Sequence, residues 1–289
     1  MNEKVEKTVS SFGELGEDIY YHHTRTESSP DGYSVAPGVH TQHEVLYLVE
    51  GELTYVIEGE RYKVTKGDMI FVAPNEIHSL EVDRTQPYER IVLLFDMDIL
   101  RVMMQKMGTR LHAFSYEGKN RFHVIDRSDV KRYGLERILS EITSDAEDEY
   151  KKLSIISRLI SFVIGIDRII SEGSSQRRTP DSRDPLVSAV AQYVDAHIGE
   201  ALNLDRLSAE VGVSKSTLCH KFSSAVNMSV SRYITVKKMH RAEELLKKGY
   251  SATSAAEAVG YLNYTSFFYN YKRLMGRSPS EDSLKKEES

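Results

Sequence analysis

The chain has 289 residues, of which 40% are hydrophobic and 28% are charged, and its formal net charge is −5 at pH 7. This composition is typical of a soluble globular protein with two domains of ordinary size, and it excludes a disordered chain. The single cysteine excludes an intrachain disulfide framework and a cysteine-based zinc site, and it favours a reducing compartment. A charged N-terminus and charge-interrupted apolar runs predict a cytoplasmic protein without a signal peptide or a membrane span.

The charge is distributed unevenly along the chain. Residues 1–184 carry a net charge of −8, whereas residues 185–289 carry a net charge of +3. Only the C-terminal part therefore suits a polyanion such as DNA. Because this excess is modest, charge alone does not identify a DNA-binding protein, and the motifs must do so.

The N-terminal part alternates apolar and polar residues from about Asp18 to Phe95, which predicts a β-meander. The pairs Glu50-Gly51, Glu58-Gly59 and Lys66-Gly67 recur every eight residues. This spacing predicts strands of about six residues joined by tight turns. Such even spacing favours a small barrel or sandwich over a βαβ fold.

Helical spacing replaces the alternation from about Ser128 to Ile170, and one apolar stripe dominates it. Two interpretations of the stripe have equal weight: it packs on its own barrel, or it forms a self-association surface. The polar residues 172–184 contain Gly and Pro and have no apolar periodicity, which predicts a linker. The stripe consists of Ile156, Leu159, Ile160, Val163, Ile166 and Ile170.

Two C-terminal segments, 202–222 and 250–271, share one pattern: a helix of small residues, a Val-Gly turn and a second helix that ends in aromatic residues. The pattern predicts two helix-turn-helix units, with Ser214 placed to cap the second helix of the first unit. The stretch from Val230 to Lys247 is predicted to be a stiff connecting helix. It would let both recognition helices enter successive major-groove segments, roughly 34 Å apart.

The outer faces of the two recognition helices carry short, cationic or aromatic side chains that can reach base edges and phosphates. For the lysines the alternative is a solvated helix face, and for Tyr264 and Phe268 it is burial under another element. The predicted DNA-binding residues are Lys215, Ser216, Cys219, His220 and Lys221 in the first unit, and Tyr264, Thr265, Phe268, Tyr269 and Lys272 in the second.

Residues 185–279 resemble the DNA-binding domain of the AraC/XylS family. The family usually has arginine at the positions of His220 and Tyr269, and neither of these residues can make the bidentate contact of arginine with guanine, so an unusual DNA specificity is expected. The closing Tyr-Arg of the family is replaced by Asp282 and Ser283. The matching residues are Leu207, Ser208, Val211, Gly212, Ser214, Leu218, Phe222, Lys238, Ala242, Leu245, Leu246, Gly260, Tyr261, Phe267, Tyr271, Lys272, Gly276, Ser278 and Pro279.

Residues 35–95 resemble the cupin domain that sugar-responsive members of this family carry before the DNA-binding region. The elements of the cupin pattern are His40, Glu44, Gly51, Gly67, Pro74 and His78, and Gly38 stands where catalytic cupins have the first of two paired histidines. An interior pocket in which His40, Gln42, Glu44 and His78 bind a small effector is the favoured interpretation, and no metal ligand is assigned. A three-ligand metal site at His40, Glu44 and His78 stays open, as does simple mutual hydrogen bonding.

These observations predict an α+β protein with two domains. Residues 1–171 are expected to form a cupin-like β-barrel with following helices that binds the effector and dimerises. Residues 172–184 form the linker, and residues 185–289 form an all-α domain with two helix-turn-helix units. The expected function is transcription regulation without enzymatic activity, and the roles of activator and repressor both stay open. Expected partners are double-stranded DNA, a sugar or related metabolite, a second copy of the chain and RNA polymerase, with no cofactor and no membrane.

Two other functions remain open from the sequence. One is a metal-dependent cupin enzyme with an accessory DNA-binding module, in which His40, Glu44 and His78 would hold the metal. The other is an architectural DNA-binding protein that needs no ligand and uses the barrel only to dimerise.

Overall fold

The computed structural model describes residues 6–13, 19–26, 33–34, 37–82, 86–97, 100, 106, 108, 111, 123–142, 150–172 and 179–284. Strands dominate the N-terminal half, and the regular structure from Pro185 onwards is helical, so the predicted α+β architecture is confirmed. None of the helices in these ranges combines the length and the apolar character that crossing a bilayer requires.

The N-terminal half contains two antiparallel sheets. The strands are β1 (Glu6–Gly13), β2 (Ile19–Thr26), β3 (Tyr33–Ser34), β4 (His43–Glu50), β5 (Glu52–Ile57), β6 (Glu60–Thr65), β7 (Met69–Val72), β8 (His78–Val82), β9 (Tyr88–Phe95), β10 (Val124–Ile125) and β11 (Ser182–Arg183). One sheet has the strand order β1-β2-β9-β4-β7-β10, and the other has the order β11-β6-β5-β8-β3. The sequence does not predict β1, β10 or β11. The last two have two residues each, which is too short for alternation to be visible.

The predicted glycine turns join strands that follow one another in the chain. Gly51, Gly59 and Gly67 all have positive φ, with values of 96°, 79° and 89°. Glu58 also has a positive φ, of 49°, so the Glu58-Gly59 turn between β5 and β6 has the left-handed conformation that two-residue hairpins favour. Of the strands β4 to β7, only β5 and β6 pair as a hairpin, whereas β4 and β7 pair with each other in the six-stranded sheet, so the glycine turns are confirmed and the continuous meander is wrong.

Strand β4 is buried on both faces because it lies between two apolar cores. Leu46 and Leu48 point into the space between the sheets, where they pack with residues such as Tyr55. Val45 and Tyr47 point to the opposite face and pack with the helices that cover it. The six-stranded sheet thus separates the barrel interior from a helical layer.

Ten helices are described. They are α1 (Arg127–Arg132), α2 (Leu135–Glu141), α3 (Lys151–Glu172), α4 (Pro185–Ala196), α5 (Leu204–Glu210), α6 (Lys215–Val226), α7 (Val230–Lys247), α8 (Ala252–Ala258), α9 (Tyr264–Met275) and α10 (Pro279–Leu284). Helix α3 ends at Glu172 and α4 begins at Pro185, and residues 173–178 of the predicted linker lie outside the described residues.

Helix α3 has one buried side and one open side. Leu159, Val163 and Ile166 are fully buried in the core that the helices share with the six-stranded sheet. Leu153 and Ile164 are exposed on the other side. One side of the predicted stripe therefore packs on its own barrel, and the neighbouring side is left uncovered by the described chain.

The two helix-turn-helix units form as predicted. Helices α5 and α6 make the first unit and α8 and α9 the second, with Gly212 and Gly260 at φ of 66° and 72° in the turns. The Ser214 hydroxyl accepts a hydrogen bond from the Thr217 amide at 3.2 Å and caps α6. The residues predicted to anchor the second helices are fully buried: Leu218, Phe222, Phe267 and Tyr271.

Helix α7 spans Val230–Lys247, the range predicted for the connecting helix, and it contacts both units. Lys238 on this helix donates two hydrogen bonds of 2.6 Å, to the backbone carbonyls of Glu200 and Val259. Glu200 precedes the first unit and Val259 lies at the turn of the second. A single buried side chain thus ties the two units to the same helix.

The last helix is held by a buried carboxylate. Asp282 accepts hydrogen bonds from the Tyr271 hydroxyl at 2.6 Å and from the Arg277 guanidinium at 2.5 Å. Arg277 also donates to Glu243 of α7 at 2.9 Å. The departure at Asp282 from the family pattern is thus compensated, because Asp282 connects α10 to the aromatic anchor of α9.

The turn glycines of the two units provide a test of this packing. A Cβ at Gly260 would lie 2.6 Å from the Glu200 carbonyl oxygen, whereas a Cβ at Gly212 meets nothing within 4 Å. Because both residues have positive φ, Gly212→Ala should cost about 1 kcal/mol of unfolding free energy. Gly260→Ala adds a backbone clash and should cost about 3 kcal/mol. Urea unfolding followed by circular dichroism measures both, and equal costs would contradict the close approach.

Candidate nucleic-acid interface and sensor site

The first recognition helix presents its predicted contact residues outward. Lys215, Ser216, His220 and Lys221 are exposed on α6, and Cys219 is half-buried. The Lys215 ammonium lies 2.5 Å from the Asp205 carboxylate on α5. Leu218 and Phe222 hold the opposite side of the helix in the core, so α6 has one anchored face and one polar face.

The second recognition helix is more aromatic on its outer face. Tyr264, Thr265, Tyr269 and Lys272 are exposed on α9, and Phe268 is half-buried. Neither Tyr264 nor Tyr269 is covered by another element of the described chain, since 40% and 70% of their surfaces remain exposed. The uncovered interpretation of Tyr264 therefore agrees with the structure, and this face can offer rings to apolar groups such as thymine methyls.

Leu262 belongs to the same surface and was not predicted. It is 98% exposed, directly before the Asn263 cap of α9. Periodicity gave no signal for it because it lies in the turn rather than on a helix face. An exposed leucine beside two exposed tyrosines makes an apolar contact surface on the second unit.

The polar cluster predicted in the barrel exists. The His40 Nε2 atom lies 3.1 Å from Glu44 Oε2, and the His78 Nε2 atom lies 3.4 Å from the same oxygen. The Tyr55 hydroxyl donates to the other oxygen of Glu44. We refer to His40, Glu44, Tyr55 and His78 as the sensor cluster.

Gln42 and His43 take different places from those of the cluster. The Gln42 backbone carbonyl accepts a hydrogen bond from His40 Nδ1 at 2.9 Å, so this residue serves the cluster through its main chain. His43 is buried on the opposite face of the sheet, stacked between Phe71 and Phe95. His43 therefore lies on the opposite side of β4 from Glu44 and outside the sensor cluster. Tyr55 was missed because it comes from β5, in the other sheet.

The cluster is electrostatically coupled. Burial raises the pKa of the Glu44 carboxyl, but the hydrogen bonds and charges of His40 and His78 outweigh burial and hold that pKa well below its usual value. Burial lowers the pKa of His78, and Glu44 more than compensates, so the pKa of His78 is raised. Burial and the neighbouring Glu44 carboxylate raise the pKa of the Tyr55 phenol. Glu44 is therefore an anion surrounded by donors.

The barrel contacts the DNA-binding half through a buried charged group, which we call the interdomain cluster. It consists of Glu58 from the β5–β6 turn with Asp195, Tyr233 and Lys237 from α4 and α7. The Lys237 ammonium lies 2.9 Å from both the Glu58 and the Asp195 carboxylates, and the Tyr233 hydroxyl donates to Glu58. The charges of Glu58 and Asp195 outweigh burial and raise the pKa of Lys237.

A short chain of hydrogen bonds joins the sensor cluster to the interdomain cluster. The His40 carbonyl accepts from the Asn75 amide at 2.8 Å, and the Asn75 carbonyl accepts from the Lys237 ammonium at 2.9 Å. Ile77, which precedes His78, donates its amide to Glu58 at 3.0 Å and packs its side chain in the core of the DNA-binding half. A displacement of His40 or His78 would therefore be transmitted to α7 through these hydrogen bonds.

Comparisons with known proteins agree with this two-part organisation. A family described as a helix-turn-helix domain matches residues 207–283, and an AraC-like ligand binding domain matches residues 20–150. The Msm operon regulatory protein of Streptococcus mutans is 20% identical over 268 residues, which are 91% of this chain and 92% of that protein. The xylose operon regulatory protein of Escherichia coli is 25% identical over 165 residues, 54% of this chain and 42% of that protein. The structure of ToxT from Vibrio cholerae superimposes with a TM-score of 0.41 at 14% identity, over 91% of this chain and 97% of that one.

The interdomain cluster predicts a strong energetic coupling between Glu58 and Lys237. Removing one partner leaves a buried charge uncompensated, so Lys237→Met and Glu58→Gln should each cost about 3 kcal/mol, and the double variant less than the sum. The exposed pair Lys63 and Glu52, at 3.2 Å, is the matched control, with a coupling below about 0.5 kcal/mol. Double-mutant cycles from urea unfolding measure both. The same small coupling for both pairs would show that Glu58 does not hold the domains together.

Proposed function

This chain belongs to the AraC family of DNA-binding transcription regulators, and from that premise we propose that it controls transcription in response to a small effector bound at the sensor cluster. The observation that supports this proposal most directly is the pair of capped, anchored helices that present exposed polar and aromatic faces. The chain acts by binding rather than by catalysis, and it acts in the cytoplasm, where its single free cysteine stays reduced.

Helices α6 and α9 enter the major groove of double-stranded DNA. Helix α7 fixes their separation, because it packs against both units and Lys238 ties them together. We expect the two helices to reach successive major-groove segments, which lie about 34 Å apart on one face of the duplex. Lys215, Lys221 and Lys272 neutralise phosphates, while His220 and the aromatic face of α9 contact bases.

The effector binds at the sensor cluster, where His40, Glu44 and His78 converge and Gln42 contributes its backbone carbonyl. A sugar or a related metabolite fits the hydrogen-bonding character of this site. The link through Asn75 and Ile77 carries the effect of binding to α7. A ligand that binds one docked arrangement better than another shifts the population of DNA-competent molecules.

The chain forms a homodimer through the open side of α3, and RNA polymerase is the further partner of the DNA-bound dimer. Leu153 and Ile164 are three helical turns apart and therefore lie on one face, with 65% and 39% of their surfaces exposed. The half-buried Ile160 lies between them on that side. A second copy of the same helix would cover these residues by symmetric pairing.

A lysine substitution tests the DNA interface. Lys221→Ala removes one phosphate contact, so operator affinity should fall about 10-fold and the slope of log affinity against log salt should decrease by about one. Lys131→Ala, an exposed lysine on α1, is the control and should change neither quantity. Gel-shift titrations at several salt concentrations measure both. The proposal fails if the wild-type chain shows no sequence-selective binding, with or without effector.

The dimer surface is tested by placing a charge on it. Leu153→Asp should convert the dimer to a monomer, because a carboxylate cannot be buried in an apolar interface without a partner. Leu262→Asp is the matched control, an exposed leucine in the DNA-binding half, and it should leave the mass unchanged. Sedimentation equilibrium gives the mass. If the Leu153→Asp variant is still a dimer, the interface does not include the open side of α3.

A further inference from the structure

A cavity of about 350 Å³ lies between the barrel and the first recognition helix. Gly59 and Arg61 line it from the barrel, and Lys221 and Ala225 line it from α6. The segment in which β11 continues into α4 contributes Ser182, Asp184 and Pro185. Two cationic side chains, those of Arg61 and Lys221, therefore line one cavity from the two halves of the molecule.

Both cations have hydrogen-bond donors left for a ligand. Within the residues that the structure describes, the exposed Lys221 makes no hydrogen bond or ion pair with a side chain. Arg61 donates to Glu81 through its two terminal nitrogens, and the guanidinium carries further N–H groups. The acidic residue of the lining, Asp184, caps α4 by accepting from the Leu186 amide at 2.9 Å. The cavity therefore has a charge that suits an anion.

Lys221 lies on a flank of α6 rather than on its outermost face. It follows the buried Leu218 by three residues and precedes the buried Phe222 by one. At about 100° per residue, its side chain points between the core and the outer face that carries His220. A helix in the major groove turns its flanks towards the phosphate strands that border the groove. The cavity therefore lies where such a strand would run beside α6.

The second unit has a cavity in the corresponding place. This cavity, of about 420 Å³, lies beside α9 at Ser266. Ser231 in the first turn of α7 lines it, as Pro185 in the first turn of α4 lines the cavity beside α6. The segment before α5, with Leu202 and Asn203, lines it from the first unit. The barrel is thus placed relative to the first unit as the first unit is placed relative to the second, so a duplex that spans both recognition helices passes the barrel.

Main-chain pairing holds Arg61 beside α6. Strand β11 pairs with β6, with Ser182 opposite Arg61, and the Asp181 amide donates to the Arg61 carbonyl at 2.8 Å. The chain then continues into α4, where the Val187 side chain packs so closely on Gly59 that a Cβ there would clash with it. Helices α4 and α6 share one apolar core. Arg61 is therefore in place beside α6 before any ligand binds.

We propose that Arg61 of the barrel and Lys221 of α6 together bind the phosphate strand that borders the major groove beside the first recognition helix. This contact rests on the proposed function, because it requires α6 to lie in the major groove. Arginine suits the position, since its planar guanidinium can hold a carboxylate on one edge and a phosphate on another. The sensor domain then contributes directly to DNA binding, and a change in its docking alters DNA affinity through Arg61.

Substitution of Arg61 in the full-length chain tests the contact. The probe is a fluorescent duplex selected from random-sequence DNA by the wild-type chain, and binding is measured by anisotropy at several salt concentrations. Arg61→Ala should weaken binding about 10-fold and reduce the slope of log affinity against log salt by about one. Lys63→Ala, two residues further on the same face of β6 and outside the cavity lining, is the matched control and should change neither quantity. Equal affinity and slope for Arg61→Ala and the wild-type chain would refute the contact.

Glu81→Gln separates a phosphate contact from a structural role of Arg61. The substitution removes the ion pair and leaves the guanidinium in place, so DNA affinity should stay equal or rise. If Glu81→Gln weakens binding as much as Arg61→Ala does, Arg61 acts through the structure of the barrel and the proposal is wrong. The side chains of Arg61 and Glu81 are 39% and 46% exposed, so both variants should fold, and circular dichroism verifies this.

A scan with single neutral methylphosphonates locates the phosphate on the same probe. At one or two positions bordering the α6 segment, neutralisation should weaken binding of the wild-type chain about 10-fold and that of Arg61→Ala less than about 2-fold. Identical profiles for the two proteins would overturn the contact. If the wild-type chain selects no sequence, the proposed function itself fails. Selective binding that Arg61→Ala leaves unchanged refutes the Arg61 contact alone.

Discussion

A buried carboxylate, that of Glu58, lies at the centre of the contact between the two halves of this molecule. Glu58 lies in a left-handed turn of the barrel and accepts hydrogen bonds from Tyr233 and Lys237 of the DNA-binding half and from Ile77 of its own half. Removing charges from water is costly, and the cost is recovered only when every charge is paired in a good geometry. The contact therefore favours one docked arrangement of the two halves. An apolar patch of the same area would favour a single arrangement less strongly, because it imposes no pairing geometry.

This arrangement places the sensor cluster next to the helix that organises the DNA-binding half. Asn75 and Ile77 occupy the segment between β7 and β8, and they contact the interdomain cluster while the adjoining His78 belongs to the sensor cluster. Helix α7 then contacts both helix-turn-helix units. A ligand of the barrel is thus separated from the recognition helices by one segment and one helix, which is a short path for coupling between two sites.

The sequence was most informative where local rules suffice. The glycine turns, the Ser214 cap, the buried anchors of both recognition helices and the limits of α7 all follow from periodicity and capping, and the structure confirms them. The sensor cluster was predicted in part, because strand alternation places Glu44 on the inner face of β4, whereas His40 lies before this strand and reaches Glu44 from the preceding segment. Tyr55 could not be assigned, since nothing in the order of residues shows which strand of the second sheet lies opposite Glu44.

The amino-acid order alone established the α+β organisation, the two helix-turn-helix units and the family resemblance, because these depend on contacts between residues close in the chain. Packing between distant segments determined the rest. Glu58 and Lys237 are 179 positions apart, and neither has a local pattern that distinguishes it from a solvated surface charge. Their burial, and the convergence of two imidazoles on one carboxylate, arise only when strands and helices from different parts of the chain meet, since pairing of buried charges is a property of three-dimensional neighbours.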